Sequence, residues 1–412
     1  MKQPRILSPL QDWKSLAAIL NSSKTPDEVY FGIGKNNMRA NANNFKLGDL
    51  GKLCSKLHEN GIKANLATNI IYYDNELNKL DNLLEKSNKH VDAVIIHDIG
   101  AIQITKKHNL EFHISTQANV SNIGSVRFYE ALGASRINLS RELSLKQIKE
   151  IRNKTKIELE CFVHGAMCVA VSGRCFLSLY LYGKSANRGE CIQPCRRAWS
   201  VRAVDSEVSK LSNTLDNKNF ICSNDEGELI YDGRFMSPKD LCMIEHIPEI
   251  MKSSIDVFKI EGRMKDPVYI ATTVKCYKEA VESVISKTYN KQKIQLWLSQ
   301  LSSVYNRGFH TGFYFKHPGK NDFQLRDGSQ AEKKKVVIGK VLNYFRKSGT
   351  CEILVSEITV NDDILISGNT TYLLQKIISL WKNGKSVEKA KGSATISVNK
   401  RVRKNDVIYI YR

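Results

Sequence analysis

A chain of 412 residues can form one large domain and a small one, and 42% hydrophobic with 25% charged residues is the composition of a globular protein. The net charge of +20 favours a polyanionic partner, and nucleic acid is the first candidate. Because no dense basic run occurs, lysine-rich helix faces exposed to solvent are an alternative explanation of this charge. No apolar run reaches the roughly 18 residues of a membrane span, and the N-terminus lacks the apolar core of a signal peptide, so we expect a cytoplasmic protein whose ten cysteines do not form disulfides.

Eight short runs of β-type residues recur along the chain, and helical or loop stretches separate them. The separators carry helical periodicity and end in glycine or polar breakers. Repeated alternation of strand and helix is typical of a TIM-like (β/α)8 barrel, the α/β fold that we predict for residues 1–330. The predicted strands are residues 5–8, 28–33, 62–68, 92–97, 111–116, 135–139, 157–163 and 256–261.

The regular alternation of strand and helix stops after the seventh predicted strand. A long insertion, about residues 161–250, carries the stretch CFVHGAMCVAVSGRCFLSLYLYGKSANRGECIQPCRR. After the eighth strand, Asp266 is placed to cap a helix whose first residue is Pro267. From 334 to 412 the chain turns to short alternating strands with turn residues between them, which predict a small C-terminal β-barrel.

Polar clusters follow four of the predicted strands, at the end of the barrel where functional groups gather. They are residues 115–119, 140–142, 164–168 and 261–265. Polar residues also cap strands and helices, and any single cluster has that explanation. Four together predict one site at the barrel mouth.

Five cysteines of the insertion are spaced too widely for common motifs. Cys168 and Cys175 are seven residues apart, Cys191 is sixteen further on, and Cys195 is four more. Cys242 lies in SPKDLCMIEH, a loop that can fold back. Because no C-x-x-C pair occurs, a zinc ribbon or thioredoxin-like chemistry is disfavoured. Wide spacing with intervening glycines favours an iron–sulfur cluster, and zinc or purely structural thiols stay open. We expect the other cysteines to be small buried residues, namely Cys54, Cys161, Cys222, Cys276 and Cys351.

A cysteine nucleophile is the competing interpretation. Cys168 lies close to His164, and a Cys–His pair is typical of one class of protease. The intervening loop is too short to favour the required geometry, however, and neither G-x-S-x-G nor H-E-x-x-H occurs.

At this point the motifs match a known family. The chain from Glu160 through HGAMCVAVSGRCFLS to ANRGECIQPCRR resembles the signature of the collagenase-like peptidases of unknown catalytic type. STQANVSN, INLSREL, SPKDLC, KIEGRMK and NRGFHTGFY resemble further blocks of that family, in order, over about residues 5–330. The tail resembles the small domain often attached to it.

The resemblance implies two kinds of activity. The family name implies proteolysis. Better understood branches carry a [4Fe-4S] cluster on four cysteines and hydroxylate without molecular oxygen. One makes 5-hydroxyuridine at the tRNA wobble position with prephenate as oxygen source, another acts on 23S rRNA, and a third acts on the ubiquinone ring. The single barrel and NRGECIQPCRR look most like the tRNA branch.

By the same resemblance, the cluster ligands would be Cys168, Cys175, Cys191 and Cys242, with Cys195 as the alternate. The polar residues at the strand ends have expected roles in such a reaction. His164 and Glu261 would transfer protons, and Gln117 and Asn119 would contact a base edge. Arg141, Arg196, Arg263 and Lys265 would meet phosphates or the carboxylates of prephenate. The expected partners are a tRNA anticodon loop and an electron donor or partner protein, with the tail either gripping the tRNA or acting as a stabilising lid.

Overall fold

The computed structural model describes residues 2–202, 221–222, 229–324, 326–332 and 334–411. Strands β1–β7 and β12 pair in parallel and close into a barrel, because β12 pairs with both β1 and β7. Each of the eight predicted strands overlaps one of these, which confirms the TIM-like barrel. In chain order the strands up to residue 310 are β1 (Arg5–Pro9), β2 (Glu28–Phe31), β3 (Lys63–Ala67), β4 (Ala93–Ile96), β5 (Phe112–Ile114), β6 (Arg136–Asn138), β7 (Glu158–Ala166), β8 (Trp199–Arg202), β9 (Ile221–Cys222), β10 (Leu229–Gly233), β11 (Asp240–Cys242), β12 (Val257–Ile260) and β13 (Phe309–His310).

Helices flank the barrel and bury an apolar stripe against it. The predicted cap at Asp266 is present, since its carboxylate accepts a 2.9 Å bond from the Tyr269 amide and Pro267 is the first helical residue. No described helix is long and apolar enough to cross a membrane. The helices are α1 (Trp13–Asn21), α2 (Leu50–His58), α3 (Asp74–Ser87), α4 (Ile99–Lys107), α5 (Ile123–Ala131), α6 (Leu145–Arg152), α7 (Leu177–Tyr182), α8 (Ile247–Met251), α9 (Pro267–Ile285) and α10 (Lys291–Ser303).

The barrel interior is charged. Arg136 on β6 is 2% exposed and donates to both oxygens of Glu28 on β2, at 2.8 and 2.9 Å. It also donates to Glu158 at 3.0 Å, and Lys259 on β12 reaches Glu160 at 2.7 Å. The Arg136–Glu28 pair joins strands on opposite sides of the barrel, whereas the pairs with Glu158 and Glu160 join neighbouring strands. Ion pairs therefore cross-link the barrel beneath the mouth.

The insertion returns to the barrel after a small antiparallel sheet of β8, β10 and β9. Strand β11 then pairs antiparallel with β7, and β13 pairs parallel with β11. The cysteines expected in helices and strands, Cys54, Cys161, Cys276 and Cys351, are buried as predicted. The side chain of Cys222 lies outside the described residues.

The C-terminal region is an eight-stranded antiparallel sheet around its own apolar core. The strand order is β17-β16-β21-β14-β15-β20-β18-β19, and Gln375 of β17 donates to the Ser397 carbonyl of β20 at 2.8 Å, so the sheet curls over. Lys335 pairs with Asp266 of the barrel at 3.6 Å. The strands are β14 (Lys335–Phe345), β15 (Thr350–Thr359), β16 (Asp363–Ser367), β17 (Tyr372–Lys376), β18 (Leu380–Lys382), β19 (Lys385–Ser386), β20 (Lys389–Ser397) and β21 (Val407–Tyr411).

Candidate functional site

Four cysteines of the insertion line one cavity beside the barrel mouth. Cys168 follows β7, Cys175 precedes α7, and Cys191 and Cys195 follow α7. The cavity measures about 120 Å³, roughly ten times the minimum for one water molecule, so it has room for a group of several atoms. The structure therefore brings together three of the predicted ligands and the alternate, Cys195.

Two glycines hold the cysteine loop against the mouth. Gly173 and Gly189 have φ angles of +74° and +85°, which glycine adopts without strain. A Cβ atom at Gly189 would clash with the carbonyl oxygen of Asn37, and one at Gly173 would crowd Gln117. The Gly189 carbonyl also accepts a 3.0 Å bond from the Ala40 amide. The cysteine loop is thus held against the loop after β2 and the end of β5.

Burial makes two of these thiols poor acids on their own. It raises the pKa of Cys191, and it raises the pKa of Cys195 to about 11, with the neighbouring cysteines adding to both shifts. Arg39 lowers the pKa of Cys191 and Arg196 that of Cys195, but neither outweighs burial. At pH 7 both become thiolates only when a positive group, such as a metal cluster, binds them.

The donor set fits a cluster better than a single ion. All four donors are sulfur, the ligand that soft metals and iron–sulfur clusters prefer. Among the described residues, no three His, Cys, Asp or Glu side chains converge on a position for one metal ion. The chemistry of the donors is therefore the feature of this cavity that fits an iron–sulfur cluster.

Cys242 and His164 lie together, but neither lines the cysteine cavity. They are register partners on β11 and β7, and both are buried. The Tyr277 hydroxyl lies 3.9 Å from the Cys242 sulfur and 3.3 Å from His164 Nδ1. Burial raises the pKa of Cys242 to about 12 and lowers that of His164 to about 4, so both are neutral at pH 7. The antiparallel pairing turns both side chains into the core, away from the other predicted ligands.

A second cavity, the mouth, lies at the C-terminal ends of the barrel strands. It measures about 40 Å³ and shares Arg39, Gln117 and Arg141 with the cysteine cavity, so the two adjoin. Four predicted residues meet here as expected, since Glu261 and Arg263 join Gln117 and Arg141. The polar lining comprises Tyr30, Arg39, Asn69, Ser115, Thr116, Gln117, Asn138, Arg141, Lys259, Glu261 and Arg263.

Among the described residues that line the mouth, Glu261 is the one with a carboxylate side chain. Arg39 pairs with it at 3.0 Å, and the Tyr30 hydroxyl lies 3.5 Å from its other oxygen. Burial raises the pKa of Glu261, but three arginines led by Arg39 outweigh burial and lower it. Glu261 is therefore ionised at pH 7 and can accept a proton or a hydrogen bond.

Two arginines of the mouth have no carboxylate partner of their own among the described residues. Arg263 donates to the amide oxygen of Asn37 at 2.8 Å, and Arg141 donates to the carbonyl of Ala166 at 2.7 Å. Burial lowers the pKa of Arg263 to about 10, which leaves it charged at pH 7. Asn138 is 1% exposed, and neither polar atom of its amide has a partner among the described residues. Uncompensated charge beside an unpartnered amide predicts an anionic ligand.

Two predicted residues are occupied in holding the cysteine loop. Asn119 donates to the carbonyl of Ser172 at 2.9 Å and does not line the mouth. Arg196 does line the cysteine cavity, but its guanidinium donates to the backbone carbonyls of Met167 and Pro238. Their contacts therefore indicate positioning roles.

Lys265 lies in a third cavity of about 390 Å³, which Cys191 and Glu261 also line. Its ammonium is 3.1 Å from the centre of the Tyr305 ring, and Arg307 lines the same cavity. Burial lowers the pKa of Lys265 to about 7. This open, cationic and aromatic cavity reaches both the cysteines and the mouth.

The sequence prediction missed several mouth residues. Arg39 comes from the loop after β2, whose run GIGKNNMRANANN contained the signal of a glycine- and asparagine-rich loop at a strand end. Asn69 follows β3 in the same way, and Asn138 is the last residue of β6. The predicted site positions are the ends of the fifth to eighth strands, which leaves out Arg39 and Asn69, and Asn138 lies within the predicted sixth strand, before its polar cluster at 140–142.

Comparison with known proteins identifies the family. The model of peptidase family U32 matches residues 11–324. An uncharacterized protease of Methanocaldococcus jannaschii is 41% identical over all of this chain and 99% of its own length, and a collagenase of Porphyromonas gingivalis is 36% identical over 98% and 97%. The tRNA hydroxylation protein P1 of Bacillus subtilis is 32% identical over 83% of this chain and 78% of its own length. The chain belongs to the peptidase U32 family.

Proposed function

We propose that this chain is an RNA hydroxylase that converts the wobble uridine of tRNA to 5-hydroxyuridine without molecular oxygen. The observation that carries the proposal is the cavity lined by four cysteines, which adjoins a polar barrel mouth. The family relative named as a tRNA hydroxylation protein supports it, and so does the net charge of +20.

In this proposal Cys168, Cys175, Cys191 and Cys195 hold a [4Fe-4S] cluster. When bound, such a cluster would supply electron transfer. Cys195 takes the place expected for Cys242 because it lines the cavity and Cys242 does not. Arg39 and Arg196 favour the thiolate forms of Cys191 and Cys195.

The mouth is the proposed site for the carboxylates of prephenate as oxygen donor, with the rest of the molecule in the adjoining cysteine cavity. Prephenate carries two carboxylates, and Arg141 and Arg263 are the two mouth cations without a carboxylate partner among the described residues. The amide of Asn138 is free to bond to it. Glu261 would accept the proton released from the pyrimidine ring.

Arg263→Met is expected to weaken prephenate binding about 10- to 150-fold, since a hydrogen bond to a charged group contributes roughly 1.5–3 kcal/mol. Isothermal titration calorimetry measures the dissociation constant. Arg127→Met, on the exposed surface of α5, is the control and should leave it unchanged. Equal affinities of the two variants would place the donor outside the mouth.

Peptidase activity is the second candidate, because a relative is named a collagenase. A thiol protease needs a histidine beside its nucleophile. No histidine is among the described residues that line the cysteine cavity, and His164 is buried against Tyr277. The contacts of the described residues therefore favour hydroxylation.

Mass spectrometry of tRNA nucleosides tests the proposed function. A strain that lacks this gene and any redundant pathway is expected to lose 5-hydroxyuridine and its derivatives. The wild-type gene should restore them, and a Cys191→Ser gene should not. Unchanged tRNA together with loss of 5-hydroxycytidine from 23S rRNA would transfer the activity to ribosomal RNA. Gelatin cleavage that survives Cys191→Ser would support a peptidase.

A further inference from the structure

The short helix α7 exposes aromatic side chains next to the cysteine cavity. Phe176, the residue before α7, is 68% exposed, and Tyr180 is 86% exposed. The Tyr180 amide donates to the Phe176 carbonyl at 2.8 Å, so the two side chains lie one turn apart on one face. Leu179 and Tyr182 are exposed beside them. We name Phe176, Leu179, Tyr180 and Tyr182 the aromatic patch. An exposed apolar cluster of this kind marks an interaction surface.

The opposite face of α7 belongs to the site. Leu177 and Ser178 line the cysteine cavity, and the Ser178 hydroxyl accepts a 3.3 Å bond from the Ile192 amide. One short helix therefore carries the cavity wall on one side and the aromatic patch on the other. A ligand on the aromatic patch would lie within one helix diameter of the cysteines, roughly 10 Å.

Positive charge surrounds the aromatic patch. Residues 168–202 contain six Lys and Arg but one acidic residue. Arg174, Lys184 and Arg197 are exposed, and none has a carboxylate partner among the described residues. Arg197 lies 5.1 Å from the Tyr182 ring and donates to its hydroxyl at 2.5 Å. Aromatic faces between uncompensated cations match single-stranded nucleic acid, whose bases stack while its phosphates meet the cations.

We propose that the aromatic patch is the RNA-binding platform of this site, on which unpaired bases next to the target nucleotide stack. The proposal rests on the proposed function, and it names the surface that receives the RNA. Phe176 and Tyr180 stack bases, and Arg174, Lys184 and Arg197 meet the adjacent phosphates. Stacking there leaves the neighbouring nucleotide free to enter the mouth.

Binding of a fluorescent anticodon stem–loop RNA, measured by anisotropy with the cluster-loaded protein, tests the platform. Phe176→Ala and Tyr180→Ala are each expected to weaken binding at least about fivefold, within the range measured for base–aromatic stacking. Tyr180→Trp should retain affinity and Tyr180→Leu should lose it, because leucine keeps apolar area but has no ring face. Phe128→Ala is the matched control, since Phe128 is 51% exposed on α5, outside all the cavities described above.

Salt dependence separates stacking from charge. Arg174→Ala, Lys184→Ala and Arg197→Ala should each reduce the slope of log K against log salt by about 0.7, the value for one phosphate contact on a single strand. Iron content and circular dichroism should match wild type in every variant, because the inner face of α7 is unchanged.

The outcomes distinguish this proposal from the proposed function. If Phe176→Ala, Tyr180→Ala and Phe128→Ala all bound RNA as strongly as wild type, the platform would be overturned and the proposed hydroxylase function would be unaffected. The platform would also be overturned if the patch variants bound RNA normally but were inactive in an assay that depends on an electron-donating protein. That result would make the aromatic patch a protein-docking surface. Absence of RNA binding and of modified tRNA in wild type would overturn the proposed function itself.

Discussion

Cys195→Ser is expected to lose most of its iron and labile sulfide, whereas Cys242→Ser is expected to keep both. Cys195 lines the cavity with Cys168, Cys175 and Cys191, while Cys242 is buried beside Tyr277. A hydroxyl is a poor ligand for iron in a cluster, so Cys195→Ser should lower the proposed tRNA hydroxylation by more than about 100-fold, the upper range for outer partners of a metal site. Iron and sulfide analysis of anaerobically purified protein measures the cluster.

Two further cysteines control this comparison. Cys54→Ser changes a buried thiol of α2, far from the site, and should behave like wild type in iron content. Cys191→Ser changes a cysteine that lines both the cysteine cavity and the third cavity, and should behave like Cys195→Ser. The reverse result, with iron lost from Cys242→Ser and kept in Cys195→Ser, would restore the ligand set that the family resemblance implied.

The barrel was predictable because its strands are local features. Each is a short β-type run between helical separators, and parallel closure follows from their repetition. The path of the insertion was not predictable in the same way. Whether Cys242 reaches the other cysteines depends on the antiparallel pairing of β11 with β7, a long-range contact that leaves no periodic signal. Sequence spacing therefore left Cys195 and Cys242 as alternatives.

The mouth was predictable in part for a related reason. Strand ends in a (β/α)8 barrel converge, which correctly placed Gln117, Arg141, Glu261 and Arg263 together. The positions of polar residues at strand ends do not show which of them use their hydrogen bonds to hold the fold together. Asn119 is such a residue, because its amide holds the cysteine loop. The motif alone gave no means to separate it from Gln117.

The ion pairs inside the barrel also could not be predicted from the sequence, although their residues lie on predicted strands. Arg136 and Glu28 belong to strands four positions apart in the sheet, and only barrel closure brings them within 2.8 Å. Burial raises the pKa of Glu28, but Arg136 and Arg5 outweigh it and lower that pKa to about 2. The same pairing raises the pKa of Arg136. The network is thus strongly coupled.

Arg136→Met is expected to lower the free energy of unfolding by about 3–5 kcal/mol at pH 7, because it leaves a buried carboxylate with too little compensation. Lys107→Met, which removes an exposed partner of Asp81, is the control and should change it by less than about 1 kcal/mol. Guanidinium chloride unfolding measures both. A loss no larger than that of Lys107→Met would contradict the buried network.

The effect of Arg136→Met on the free energy of unfolding should depend on pH, because it depends on the charge of Glu28. The pKa of Glu28 is about 2 in the folded protein and near 4.5 when unfolded, so its stabilisation is complete above pH 4.5 and is lost as the pH falls toward 2. A shift of that size corresponds to roughly 3 kcal/mol. Because Arg136→Met leaves burial as the largest influence on Glu28, the low pKa of this carboxyl is lost in the variant, so the difference in stability between wild type and variant should be largest near pH 7 and shrink as the pH falls toward 2. A difference that stays constant over this range would mean that Arg136 stabilises the barrel by packing alone.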